Sequence, residues 1–354
     1  MSSIQGNSTE KTRFESILEN KITLICCIAL FFLSYIFQRY FTDLDEYFIS
    51  NILRNELMKT FSDPFWLVLF WGTVAIFFLS FVVYFVFSNK RSKALALLAI
   101  VVLGALFIGD SLKIVFQLAR PPQEFSAWVP EFYNNFIPTT SETHDFPAQS
   151  VLVPAAIAVY FYLRKPEKWK GLIFFIYVGL MFFARPYIGV NHISASVSGA
   201  ILGIYIGFVI YKYGDTVREM SIFNKKWKKL VIAVVIFASM FIIYTLERPV
   251  FYSKPSQGVD LDIRMFMIVL GGFIGVALNG PKELSFEFEN ITQKIRFIAS
   301  ILICYIVMFA IYLSALLVPV SLFFVGIILG FIAGLWISMA APKLVEYVNK
   351  NAIK

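Results

Sequence analysis

Residues 94–119 read ALALLAIVVLGALFIGDSLKIVFQLA, and Arg120-Pro121 follow at once. The only charges in that stretch are Asp110 and Lys113. A helix rises about 1.5 Å per residue and needs roughly 20 apolar residues to cross the ~30 Å hydrocarbon core of a bilayer, so this segment is long enough to span one. Its charges gather toward one end, beside Arg120-Pro121. The segment therefore reads as a membrane span with cations at one boundary, and the rest of the chain repeats the pattern.

Working outward, ten apolar stretches are long enough to be spans: 22–40, 65–88, 94–119, 147–163, 171–185, 193–211, 230–246, 263–279, 296–317 and 319–340. The composition agrees, with 58% hydrophobic residues, 15% charged and mean hydropathy +0.73. Soluble domains carry nearer a quarter charged residues. The expected fold is all-α, a polytopic membrane bundle of about ten transmembrane helices. It divides into a cytoplasmic N-terminal tail (1–21), a six-span core (22–212), a basic linker (213–229), a four-span C-terminal region (230–341) and a cytoplasmic tail (342–354). The first apolar run starts only at Ile22, after a mixed-charge segment, which predicts a retained span rather than a cleaved leader. Cys26, Cys27 and Cys304 all fall inside predicted spans and suggest no disulfide framework.

Basic residues collect in cytoplasmic loops, and this sets orientation. Placing both termini in the cytoplasm puts 22 of the 31 Lys and Arg on that side. The net charge of +8 is accounted for by topology, with no nucleic-acid partner needed to explain it. The Lys225-Lys226-Trp227-Lys228-Lys229 cluster reads as a cytoplasmic anchor with an interfacial tryptophan. On the opposite side, 122–146 is the longest loop and alternates aromatics with acids, a composition suited to the lipid–water interface.

The chemistry gathers at the outer boundary. Lys113 and Arg120 are seven residues apart, which on a continuous helix places them on one face about 10 Å apart. Asp110 offers Lys113 a structural alternative, a buried ion pair. Arg185 closes the fifth predicted span, and the short loop Pro186-Tyr187-Ile188-Gly189-Val190-Asn191-His192 leads into the sixth. Ionisable residues within spans are costly and usually face a cavity or a partner. Arginine can grip phosphate in bidentate fashion, and lysine adds a mobile point charge. Three cations at one boundary thus predict a small anion pocket. No metal-ligand cluster, Gly-x-Gly-x-x-Gly run or P-loop is present in the sequence, and neither metal nor cofactor is expected. Gly271, Gly272, Gly275, Gly330 and Gly334 read as sites of close helix packing.

These residues resemble the type 2 phosphatidic acid phosphatase superfamily of membrane lipid phosphatases, over roughly residues 60–212. Its first motif, Lys-x6-Arg-Pro, is matched by Lys113 to Pro121. The second, Pro-Ser-Gly-His, falls on Pro147-Ala148-Gln149-Ser150. The third, Ser-Arg-x5-His-x3-Asp, falls on Ala184-Arg185, Asn191 and Ala195. The resemblance implies that Lys113, Arg120 and Arg185 hold phosphoryl oxygens. It also implies a nucleophilic histidine at 191, an acid histidine at 150 and an orienting carboxylate at 195, where this chain has Asn191, Ser150 and Ala195; Ala184 and Ala148 likewise replace the motif serines. The two histidines of the chain, His144 and His192, stand beside the vacated positions and are the candidate catalytic residues. Asp145 or Glu142 is the candidate partner for His192.

The leading expectation is an integral protein of the cell membrane that binds a membrane lipid or polyprenyl phosphate at the extracytoplasmic face, with lost or reduced catalysis. Two alternatives stand beside it. One is an active, metal-independent lipid-phosphate phosphatase working through relocated histidines. The other is a transporter or scaffold whose function lies in the last four spans, where Arg248, Asp260, Asp262 and Arg264 cluster. Sequence leaves the oligomeric state open.

Overall fold

The computed structural model describes residues 13–53, 105, 108–113, 115–121, 144–164, 168–187, 189–219, 264, 267–268, 270–272, 274–275, 288–317 and 323–350. Among these the protein is helical, with no strand. Nine α-helices carry the description: α1 (Arg13–Glu19), α2 (Lys21–Tyr40), α3 (Thr42–Phe48), α4 (Gln149–Leu163), α5 (Lys168–Tyr187), α6 (Ile193–Glu219), α7 (Ile291–Leu317), α8 (Phe323–Leu335) and α9 (Ala341–Val348). Single π-helical turns follow α3 (Ile49–Leu53) and α8 (Trp336–Ala340).

Three described helices are long and apolar enough to cross a membrane: α2, α5 and residues 193–213 of α6. They coincide with the predicted spans 22–40, 171–185 and 193–211. The predicted spans 65–88 and 230–246, the linker cluster Lys225 to Lys229 and the loop from 122 to 143 lie outside the described residues.

Helix α2 shows the burial pattern of a membrane helix. Ile25, Leu33 and Ile36 are exposed, whereas Ser34 and Gln38, four residues apart and so on one face, are buried. In water such a face would turn outward; a lipid-facing helix keeps its polar side chains against its neighbours. Ser34 satisfies its hydroxyl by donating to Leu30 O at 2.8 Å.

Helix α4 is the centre of the described core. Of its 15 residues, 12 are buried, including Val151, Leu152, Ala155, Ala156 and Tyr160. A helix that is apolar all round belongs inside a bundle, and α5 and α6 close over it. The approach is close because glycines face α4. A Cβ on Gly199 would lie 2.5 Å from Ala148 O, one on Gly203 2.2 Å from Leu152 O, and one on Gly207 2.3 Å from Ala156 O. Gly171 of α5 meets Tyr162 N at 2.4 Å by the same measure. Lipid tails are as apolar as leucine, so helices in a membrane associate through such packing rather than through hydrophobic burial. Helix α2 lies along α6, and α1 packs at the far end, where Leu18 joins Val159, Leu163 and Phe208.

In the C-terminal region α7 packs on α8 and α9. The glycines there pack as the sequence predicts. A Cβ on Gly334 would sit 2.0 Å from Ile268 O, and one on Gly271 2.2 Å from Phe331 O. Arg264, 2% exposed, donates Nη1 to Ala315 O at 2.9 Å in the last turn of α7. A Cβ on Gly326 would meet its Nε at 2.6 Å. Arg248, Asp260 and Asp262, grouped with Arg264 in sequence, lie outside the described residues.

One expectation is overturned. Lys113 and Arg120 do not share a helix face, because the helical stretch that holds Lys113 ends at Phe116. Gln117 donates its N–H to Lys113 O at 2.9 Å and then turns into the left-handed region at φ 47°. Residues 117–121 are non-helical. The physical reason lies just downstream: a proline disfavours helical backbone in the residue before it, and here Pro121 and Pro122 follow Arg120 in tandem.

Candidate functional site

Two chain segments meet at the head of α4 and α6. The first is the turn between α5 and α6. Pro186 sits in the last turn of α5, and Gly189 takes φ 76°, a conformation that glycine adopts without steric cost. Gly189 N donates to Pro186 O at 2.9 Å and Val190 N to Arg185 O at 3.1 Å, satisfying carbonyls that the helix end leaves open. The turn delivers Asn191 and His192 to the start of α6.

The second segment is the non-helical stretch ending in Arg120. Arg120 Nη1 donates to Val190 O at 2.7 Å, which ties the first-motif arginine to the third-motif turn. Arg185 Nε donates to Asn191 Oδ1 at 2.7 Å. The two guanidinium groups are near enough to repel one another. Arg120 and Arg185 are thus brought together by contacts to consecutive residues, Val190 and Asn191. Lys113 is buried in the helical stretch that precedes Arg120. Asp110, in that same stretch, is hydrogen-bonded by Gln149 Nε2 at the start of α4.

Asp145 is the hub. It is fully buried, with its N–H donated to Leu118 O at 2.9 Å. Its Oδ2 lies 2.7 Å from His192 Nδ1 and accepts His192 N at 2.9 Å and Gln38 Nε2 at 3.0 Å. Its Oδ1 accepts Asn191 Nδ2. With an ionised carboxylate as its neighbour, Nδ1 of His192 carries a proton and donates it. Asp145, then, is the carboxylate partner of His192 in place of the absent acid at position 195. Ala195 is buried in the packing of α6 against α4, its carbonyl accepting Ala148 N at 3.0 Å. Glu142, the other candidate partner, lies outside the described residues.

The other edge of His192 faces α3. His192 is 1% exposed; its Nε2 has no hydrogen-bond partner among the described residues and faces Glu46 Oε1 at 3.9 Å. Glu46 belongs to α3, and so does Asp45, which caps α6 from a distant part of the chain. Asp45 Oδ1 accepts Ile193 N at 3.0 Å, while Oδ2 accepts Ser194 N at 3.1 Å and Ser194 Oγ at 2.5 Å. A helix N-terminus exposes unpaired N–H groups and partial positive charge, and a carboxylate answers both. His192 supplies the first-turn carbonyl, accepting Ser196 N at 3.2 Å, but its side chain is left free for Asp145.

The electrostatics follow from this packing. Burial would push the Asp145 carboxyl upward, but the hydrogen bond and charge of His192, joined by Arg120, hold it below the usual carboxylate range. Burial works against the His192 cation, yet Asp145, with Asp45 and Glu46, raises its proton affinity above that of free imidazole. Glu46 is raised too, by burial first and by repulsion from Asp43 and Asp45, against the pull of His192.

Chemically, the atom presented to Arg185 is an amide oxygen, which cannot attack phosphorus and form a phosphoenzyme. His192 is hydrogen-bonded to Asp145 through Nδ1, and Glu46 Oε1 stands 3.9 Å from its Nε2. His144 is buried next to Asp145 in the chain, and His192 Nδ1 lies 2.7 Å from Asp145 Oδ2 and 3.2 Å from Gln38 Nε2. Ser150 Oγ is buried with no partner among the described residues. Also among the described residues, no group of three or more His, Cys, Asp or Glu side chains is arranged to hold a metal ion.

Gln38, Asp45 and Glu46 were not singled out by sequence reasoning. A signal existed: Gln38 is a lone amide near the end of an apolar span, and an acidic run from Asp43 to Glu46 follows it.

Compared with known proteins, residues 93–219 match the family model described as the PAP2 superfamily. No curated protein and no solved structure gives a significant match to the chain.

Proposed function

With residues 93–219 a PAP2-superfamily region, we propose that this membrane protein binds the phosphate group of a membrane lipid or polyprenyl phosphate without turning it over efficiently. The observation that carries the reading is the Arg185 Nε to Asn191 Oδ1 hydrogen bond of 2.7 Å, which puts an amide where the motif has its nucleophile. Arg120 and Arg185, with Lys113, form the phosphate-holding set. Asn191 stands at the nucleophile's place and keeps the cations in register without attacking. The charge bias of the loops supports a site on the extracytoplasmic side, with both termini in the cytoplasm and the four C-terminal spans forming a separate region after the 213–229 linker.

A second reading is favoured by one observation, the His192–Asp145 pair at 2.7 Å, which is the arrangement that fixes a catalytic imidazole. Against it stands Glu46, whose carboxylate faces the Nε2 that would have to attack and would repel an incoming phosphate dianion. One experiment separates the two. Purified protein in nanodiscs is given phosphatidate, a polyprenyl phosphate or inorganic phosphate, and both binding and phosphate release are measured. The binding reading expects saturable lipid binding, weakened when Lys113, Arg120 or Arg185 is changed to Ala, and no release. Metal-independent release abolished by His192→Ala would establish the enzyme instead.

A further inference from the structure

Asp145 lies between two kinds of positive charge. On one side is His192, hydrogen-bonded at 2.7 Å; on the other is Arg120, near enough to stabilise its charge. Arg185 also feels both Arg120 and Asp145. When His192 carries protons on both nitrogens, Asp145 and His192 form a neutral pair and the field of the arginines stands nearly undiminished. When His192 loses the Nε2 proton, Asp145 becomes a full negative charge beside Arg120 and opposes an incoming anion. Buried charges are poorly screened, so one unit of charge at this range matters.

The groups that decide the proton come largely from outside the family-matched segment. Facing His192 are Asp45 and Glu46 from α3, with Asp43 beside Glu46, and Asp145 from the 144–148 connection. Gln38 of α2 is the neutral member: its Nε2 donates to Asp145 Oδ2 at 3.0 Å and to Ala119 O at 3.4 Å, bracing the carboxylate next to the arginine stretch. Asp45 fixes the N-terminus of α6, and with it the backbone of His192.

We infer that Gln38, Asp45 and Glu46 are positioning residues of the anion site, and that through the Asp145–His192 pair the proton on His192 sets how tightly Arg120 and Arg185 hold a tetrahedral oxyanion. The inference rests on the phosphate-binding reading above and adds its control. Binding is strong while His192 is protonated and falls as pH rises past the titration of His192, which its acidic neighbours move above the ordinary imidazole value.

The test uses the full chain in phosphatidylcholine nanodiscs with inorganic sulfate as probe, because sulfate keeps its charge across the neutral range whereas a phosphomonoester does not. Calorimetric titration over a pH series is expected to show sulfate affinity falling about tenfold as pH rises. Glu46 is 20% exposed, so Glu46→Gln is a mild change. Removing its charge lowers the proton affinity of His192, so the fall is expected at lower pH. His192→Gln is expected to give a flat profile at the weak end. A flat wild-type profile, or an unmoved midpoint in Glu46→Gln, overturns the inference and leaves the pocket reading standing. Absence of sulfate and phosphate binding at every pH overturns the pocket reading, and this inference with it. Repeating the series with phosphatidate in the nanodisc and with free phosphate distinguishes a lipid head group from a soluble anion.

Discussion

Arg185 and Arg264 are both arginines set in the helices of a very apolar chain, and their surroundings differ in kind. Arg264 reaches a backbone carbonyl, Ala315 O, in the last turn of α7 and lies against the surface left bare by Gly326. Arg185 reaches a side-chain oxygen, Asn191 Oδ1, and through it a chain of hydrogen bonds to Asp145, His192 and Gln38. An arginine that caps a helix end and fills a glycine notch serves packing. An arginine joined to titratable side chains can have its field altered by a proton or a ligand. Charge inside a membrane protein is therefore a poor guide to function until its partner is known.

The comparison can be broken or sharpened at four points. The largest effect is expected from Arg264→Ala, which opens a cavity and leaves Ala315 O without its donor. A loss of about 3 kcal/mol is expected in denaturant or thermal unfolding in micelles, with sulfate binding by the folded fraction unchanged. If binding falls and stability does not, the two arginines are not different in kind. Next comes Arg185→Ala, where about 2 kcal/mol of anion binding, some thirtyfold in dissociation constant, should be lost. Its stability loss is expected to be the smaller of the two.

Gly326→Ala should cost about 1–2 kcal/mol by pushing Arg264 off its seat. Because the clash is with that side chain, the same change is expected to cost almost nothing in an Arg264→Ala background. A double-mutant cycle that came out additive would remove the notch from the account. The smallest effect concerns pH. His192 has a raised proton affinity in the fold, so the stability it contributes is complete below the ordinary imidazole value of 6.5 and is lost as pH rises through its folded value. Asp145 has the opposite sign, its contribution being present above the ordinary carboxyl value of 3.8 and lost as pH falls through its lowered folded value. A neutral-to-alkaline stability profile of His192→Gln should lack the alkaline decline seen in the parent.

Much of this architecture was legible because it is local. The apolar runs at 22–40, 171–185 and 193–211 became helices, since length and composition suffice to say what can cross a bilayer. Arg120 and Arg185, grouped in the sequence reading, both contact the turn before α6, and Gly271 and Gly334 packed as read. The errors and omissions are all questions of direction or of distance along the chain. Seven-residue spacing placed Lys113 and Arg120 on one face, but the tandem prolines ended the helix before Arg120. Position 195 lacks its acid, and Asp145, 47 residues before His192, provides one. Asp45 caps a helix that begins 148 residues later. Periodicity cannot report which of several acids reaches a given imidazole. The seam of Gly199, Gly203 and Gly207 was written in four-residue spacing, the same signal that was read in the C-terminal glycines and not here.

That seam has a mechanical consequence. With Gly199, Gly203 and Gly207 bringing α6 to the backbone of α4, and Gly171 doing the same for α5, sliding any of the three past its neighbour means driving peptide groups into one another. They behave as a stiff plate. At the flank, by contrast, α2 and α3 are fastened to the site through the side chains of Gln38 and Asp45.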